Sequence, residues 1–153
     1  MAAHVDTSIP ISFFRLTNCT ERQVSDIVAI YECAGWWKEE YDAMGILKLV
    51  ENSFCFFTAQ DANKRIVGMG RAISDGVSVA YIQDLAVLPL TRGMGIGSAL
   101  VSHLVAYIKN AGVVSIMLMA QPGTANFYSP CGWNTIPQRI CLIQDDSHDN
   151  QFT

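Results

Sequence analysis

A chain of 153 residues has room for one domain with its own core, and its 50% hydrophobic and 16% charged residues exclude a disordered polymer. The net charge of −4 argues against a general nucleic-acid binder, which would carry a basic patch, and mildly favours cationic substrates. No apolar run reaches the roughly 18 residues of a membrane span; the longest, Val113 to Ala120, has the length of a buried strand.

Ile11 to Leu16 follows Pro10 and reads as a first strand. Thr20 begins a helix, with Gln23 three residues on in a near capping box. Val24, Ile27, Val28 and Tyr31 give that helix one apolar face, and Gly35-Trp36-Trp37 interrupts it. A second helix is predicted from about Lys38 to Glu51. Ser53 to Gln60 is aromatic-rich and reads as a strand. Asp61 to Lys64 is a hairpin turn, and Arg65 to Ser74 is the next strand. Gly68 and Gly70 within it point to a bulge or a close backbone contact. Asp75-Gly76 turns the chain into the strand Val79 to Val87, which completes an antiparallel meander.

Pro89 ends that strand. Ile96 to Ala111 is the clearest helix, with Ile96, Leu100, Val101, Leu104, Val105 and Ile108 as its apolar stripe and Gly112 as its terminator. Val113 to Ala120 then lies parallel to strand 79–87 through a right-handed crossover. A short helix over about 124–129 ends at Pro130. Gly132 to Thr135 and Arg139 to Ile143 read as closing strands, and the polar tail Asp145 to Thr153 is expected to be disordered. These elements make a single domain over 1–144.

The N-terminus lacks a basic region followed by an apolar core, so no signal peptide is expected. Cys19, Cys33, Cys55, Cys131 and Cys141 are odd in number and contain no Cys-x-x-Cys. They fit free, mostly buried thiols in a reducing compartment, and a cytoplasmic location is expected. The sequon Asn18-Cys19-Thr20 is then a chance match. His4, His103 and His148 have no metal-ligand spacing, and no metal is expected. Cys131 has no histidine nearby in sequence and reads as a buried, inert thiol rather than a nucleophile.

The chemistry concentrates in Arg92-Gly93-Met94-Gly95-Ile96-Gly97, between strand and helix. Alternating glycines permit a tight turn and expose consecutive N–H groups at a helix N-terminus, where an anion is favoured. The loop reads as a cradle for a pyrophosphate. It is not a P-loop, because no lysine follows the glycines. It is not a dinucleotide fingerprint either: the third glycine position holds Ser98 or Leu100, and no acidic residue stands about 20 positions on.

Arg92-x-x-Gly95-x-Gly97, directly after Val87-Leu88-Pro89, resembles the acyl-CoA loop of the GCN5-related N-acetyltransferase (GNAT) family, Gln/Arg-x-x-Gly-x-Gly/Ala. Downstream, Phe127-Tyr128-Ser129-Pro130-Cys131-Gly132-Trp133 resembles that family's Phe-Tyr-x-x-x-Gly-Phe segment. The clear resemblance covers roughly Arg65 to Trp133. It implies an α/β (α+β) fold: a mixed, mostly antiparallel sheet with a splayed parallel strand pair and flanking helices. It also implies acetyl-CoA as co-substrate and CoA as product.

By position, the resemblance implies that the N–H groups of Arg92, Gly93, Met94, Gly95, Ile96, Gly97 and Ser98 hold the pyrophosphate. Leu85, Ala86 and Val87 meet the pantetheine arm through their backbone, with the Leu85 N–H as oxyanion donor. Gln121 takes a place where the family often has Asn, and Phe127 flanks the same cofactor. Tyr128 sits near the sulfur as general acid, a role that suits a phenol. Strict alternation puts Tyr81, Gln83 and Leu85 on one strand face and Ile82, Asp84 and Ala86 on the other.

The family's base is often Glu or His on the face of Tyr81 and Gln83, and Gln83 cannot serve as one. Asp84, an acidic residue among Glu39, Glu40 and Asp42, and no dedicated base all stay open, as does a purely structural role for Asp84. Trp36 and Trp37, with Tyr41, would wall the acceptor site for a protonated amine carrying an apolar body, although Glu39, Glu40 and Asp42 also suit a solvated helix start.

Two functions are thus expected to compete. One is an N-acetyltransferase acting on a small-molecule or peptide amine by direct transfer in a ternary complex. The other is a non-catalytic acyl-CoA-binding module of the same fold. Neither involves nucleic acid or membrane, and a homodimer is open to both.

Overall fold

In a computed structural model that describes residues 9–144, the chain forms one five-stranded sheet with helices on both faces. The elements are β1 (Ser12–Leu16), α1 (Glu21–Cys33), α2 (Gly45–Asn52), β2 (Cys55–Gln60), β3 (Ile66–Ser74), β4 (Val79–Val87), α3 (Ile96–Asn110), β5 (Ser115–Leu118) and α4 (Ala125–Tyr128). A 3₁₀ turn, Pro89–Thr91, leads from β4 towards α3. The sheet order is β1-β2-β3-β4-β5, antiparallel throughout except for the parallel pair β4–β5. This is the mixed sheet expected from the sequence. The expected tail 145–153, with His148, and His4 lie outside the described residues.

Alternation along β2 and β3, shifted by one residue where β3 bulges between Ile66 and Gly68, explains why both faces carry helices. Phe56, Ile66 and Met69 pack against Val24, Ile27 and Ile30 of α1 and Ile46 and Val50 of α2. The alternate positions Cys55 and Ala72 meet Leu104 and Ile108 of α3, while Ala59 and Val67 meet Ile96 and Leu100. Each fully buried Phe, Ile, Leu, Val or Met side chain among them contributes about 1.5–3 kcal/mol by leaving water. Helix α1 starts with a complete capping box: Thr20 accepts from the Gln23 N–H, and Gln23 accepts from the Thr20 N–H.

Several expectations need correction. The second helix begins only at Gly45, because the Asp42 carboxylate takes the Met44 N–H and the Asp42 carbonyl takes the Gly45 N–H, which locks 42–45 as a turn. The closing strands over 132–135 and 139–143 do not form: Gly132 is left-handed at φ +85°, Pro137 lacks a donor, and Ile140 and Leu142 are more than 80% exposed. The thiols are not mostly buried, since Cys33, Cys131 and Cys141 are exposed and only Cys55 is fully enclosed.

The decisive local feature is a bulge in β4. Met69 faces Ala86 and Arg71 faces Gln83, so β4 spends one residue more than β3 over this interval. Asp84 takes a left-handed φ of +53° there. Gly70 lies opposite, where an added Cβ would come 2.9 Å from Leu104 Cδ1 and 3.0 Å from Leu85 Cδ1. The extra residue shifts the alternation beyond it. Asp84 joins Gln83 on the side of Arg71 and Tyr31, while Leu85 packs with Ile96 and Leu100. The strict alternation expected for Asp84, Leu85 and Ala86 is therefore corrected by one position. Pairing with β5 ends at Ile82–Leu118, just before the bulge.

Candidate active site

Past that point β4 runs on without β5, and a cavity of about 670 Å³ opens beside it. Its size suits a small-molecule ligand. Ala34 and Trp36, at and after the end of α1, form one wall. Leu85, Ala86 and Val87 form the floor, Thr91 to Ser98 without Met94 the far end, and Gln121, Thr124, Phe127 and Tyr128 the opposite wall. The titratable side chains on this lining are Arg92 and Tyr128.

The far end is made by backbone conformation. Gly93 and Gly95 sit at φ +78° and +75°, where other residues are strained. Gly95 is the N-cap of α3 and supplies no side chain to the first helical N–H groups. That leaves donors and the positive end of the helix dipole at the cavity. Gly97 is a glycine for space: an added Cβ would stand 3.0 Å from Phe127 Cζ. Arg92 donates from Nε to the Val87 carbonyl at 3.0 Å, which ties the loop back onto the free end of β4.

The floor offers main-chain groups. The Leu88 N–H donates to the Val67 carbonyl, and Ala86 pairs with Met69. By ladder alternation Leu85 and Val87 turn their polar groups the other way, into the gap left by β5.

Tyr128, half-buried at the end of α4, has its phenol pKa raised, first by burial and then by the neighbouring Cys131 thiol. Its ring packs edge-on to Phe127 at 4.9 Å and to Trp133 at 6.2 Å. Cys131, expected to be buried, is exposed, with its Sγ 3.7 Å from the Phe127 carbonyl.

Most of the residues singled out in the sequence meet at this cavity: Trp36, Leu85, Ala86, Val87, Arg92, Gly93, Gly95, Ile96, Gly97, Ser98, Gln121, Phe127 and Tyr128. Five do not line it. The Met94 side chain is exposed. Trp37 packs between Tyr31 and Tyr41. Tyr81 pairs with Met117 on β5 and is exposed. Gln83 accepts from Arg71 Nη2 at 3.3 Å. The Asp84 carboxylate accepts from Arg71 Nε at 2.5 Å and from the Tyr31 hydroxyl at 2.8 Å. Burial and the adjacent Asp84 charge push the Tyr31 phenol far above its ordinary range, so it stays a donor.

Sequence reasoning missed Tyr31 and Arg71. Tyr31 reads as one more apolar-face residue. Arg71 carried a usable signal: a lone cation in an apolar strand, next to Gly70, needs a buried partner. Among the described residues no group of three or more His, Cys, Asp or Glu side chains is placed to hold a metal ion.

Comparison with known proteins agrees with this geometry. Residues 19–133 match the Acetyltransferase (GNAT) family. Uncharacterized N-acetyltransferase ycf52 of Pyropia yezoensis is 28% identical over 116 residues, 75% of this chain and 67% of that protein. A chloroplastic serotonin N-acetyltransferase 2 of Oryza sativa is 36% identical over 83 residues, 54% of this chain and 42% of its own. The chain spans between 41% and 72% of the length of its four ycf52-type relatives. A solved Staphylococcus aureus protein of unknown function, described as a probable acetyltransferase, superposes with a TM-score of 0.75 at 27% identity, over 89% of this chain and 99% of that one. Glycine loop, splayed strand pair, tyrosine and family match coincide in one place, and the chain belongs to the GNAT acetyltransferase family.

Proposed function

We propose that the chain transfers an acetyl group from acetyl-CoA to a primary amine by direct attack within a ternary complex. The observation that carries the proposal is the single cavity joining the glycine cradle, the unpaired end of β4 and Tyr128. The cradle fits a pyrophosphate through the uncapped N–H groups at the start of α3 and the left-handed turns at Gly93 and Gly95 that present them. Acetyl-CoA supplies a thioester carbonyl already activated for attack. The amine nitrogen bonds to that carbonyl carbon and the carbon–sulfur bond breaks. In this reading the Leu85 N–H stabilises the oxyanion, and Tyr128 gives its phenolic proton to the leaving sulfur and regains one from solvent. A phenol held protonated by burial suits that task.

Neither Gln83 nor Asp84 serves as base in this proposal, because Arg71 and Tyr31 already occupy them. The lining offers no carboxylate or imidazole, so the amine enters as the free base and loses its second proton to water after attack. Trp36 supports an acceptor with an apolar or aromatic body. The rice relative named for serotonin is compatible with such an acceptor.

Thiol release from acetyl-CoA against arylalkylamines, polyamines, aminoglycosides, amino acids and peptide N-termini tests the proposal. Saturable release with one class, arylalkylamines expected first, supports it. Acetyl-CoA binding with no release across the panel favours the non-catalytic module instead, a reading supported by the absence of a base from the lining.

A further inference from the structure

Asp84 has a side-chain environment that transfer by Tyr128 and the glycine loop leaves unexplained. It sits in a left-handed conformation at φ +53°, which Asp and Asn tolerate better than other residues with a Cβ but which still needs support. That support comes from two other elements. Tyr31 of α1, only 7% exposed, and Arg71 of β3 donate to the same oxygen, Asp84 Oδ2. The same guanidinium reaches Gln83 Oε1, so one cation holds both residues of the bulge. Gly70 gives the bulge room from below.

The position of the clamp is as telling as its strength. β4–β5 pairing ends at Ile82–Leu118, the clamped pair is Gln83-Asp84, and the next residue is Leu85 on the cavity floor. Without the extra residue, strict alternation would exchange the directions of Leu85 and Ala86. Leu85 would then turn its N–H toward β3 and away from the gap.

We propose that Asp84 is a positioning residue: its carboxylate, gripped by Arg71 and Tyr31, fixes the β4 bulge that aims the Leu85 N–H at the thioester carbonyl. This rests on the acetyl-transfer reading above. Tyr31 also packs its ring against Trp36 at 6.2 Å, so the grip joins the floor to the acceptor wall.

The test is infrared difference spectroscopy of acetyl-CoA labelled with carbon-13 at the thioester carbonyl, bound to the full chain. Steady-state kinetics with the best amine run alongside. In the wild type the bound carbonyl band lies below that of free acetyl-CoA, because an aimed N–H polarises it. In Asp84→Ala the band returns towards the free value and kcat falls about 10- to 100-fold, while KM for acetyl-CoA stays within about threefold because the glycine loop is untouched. Asp84→Asn tolerates the left-handed backbone and still accepts from Arg71, so it recovers most of the shift. Tyr31→Phe keeps the ring packing and loses one donor; it gives a smaller change of the same sign, and it decides alone if Asp84→Ala does not fold.

A shifted wild-type band that the folded variants retain, with unchanged kcat, overturns the positioning role and leaves acetyl transfer standing. An unshifted band in the wild type overturns the acetyl-transfer reading, and this inference with it.

Discussion

The two ends of the cavity are built by opposite means. The end that would take the phosphates is made of what is left out: left-handed Gly93 and Gly95, and Gly97 with no Cβ in front of Phe127. Its contacts lie within one short stretch of chain. The end where the acyl group would meet the amine is made of what is put in: Trp36, Tyr128, and a bulge held from 13 and 53 residues away. The first end should suffer from added atoms, and the second from lost ones.

The largest expected loss comes from one oxygen atom. Tyr128→Phe should lower kcat about 100-fold, with KM for acetyl-CoA unchanged, because the ring still packs on Phe127 and Trp133. Steady-state kinetics with acetyl-CoA varied checks the split. The pH dependence sharpens the same point. A raised phenol pKa means that the proton stays on Tyr128 to higher pH than usual. With no base on the lining, kcat/KM should rise with pH as the acceptor amine deprotonates, and Tyr128 should impose no fall below about pH 10. Two acceptors of different amine pKa, compared over pH 6–10, should give correspondingly displaced profiles (the range is about that of the amines themselves).

Trp36→Ala should raise the acceptor's KM about tenfold and leave that of acetyl-CoA unchanged, because it strips the amine wall and leaves the glycine loop in place. The smallest effect lies outside both ends. Thr20→Ala removes the side-chain cap of α1 and should cost about 1 kcal/mol, near 3 °C in Tm for a domain of this size, without changing kcat in the folded protein. Thermal denaturation and activity on one preparation check it.

The same contrast explains what could be read from the sequence. A glycine loop between a strand and a helix is written in consecutive residues, so the cradle could be read from it directly, whereas Leu85 to Val87 and Tyr128 are placed through the family resemblance of two motifs. The β4 bulge could be read from neither. It depends on Arg71 and Tyr31 meeting Asp84 across three elements, and periodicity carries no information about which strand gains a residue. Gly68 and Gly70 did mark a bulge and close contacts: β3 gains a residue on β2 where Ala59 faces Gly68 and Gln60 faces Ile66, and Gly70 lies opposite the second bulge, whose extra residue is in β4. The closing strands failed for a related reason. Ile140, Leu142 and Ile143 have strand-forming side chains, yet strand propensity expresses only where a face is buried, and these three are exposed. The capping box of α1, a local signal, was read as it stands.

Calorimetric titration of acetyl-CoA into the wild type and into Gly97→Val tests the central claim most directly. The valine side chain would drive into the Phe127 ring and distort the cavity wall there while leaving the apolar stripe of α3 in place. Saturable one-site binding in the wild type, weakened about 100-fold or lost in a Gly97→Val protein with unchanged circular dichroism, is the predicted result. Equal binding by both proteins, or no binding by the wild type, would contradict the assignment of this cavity to acyl-CoA.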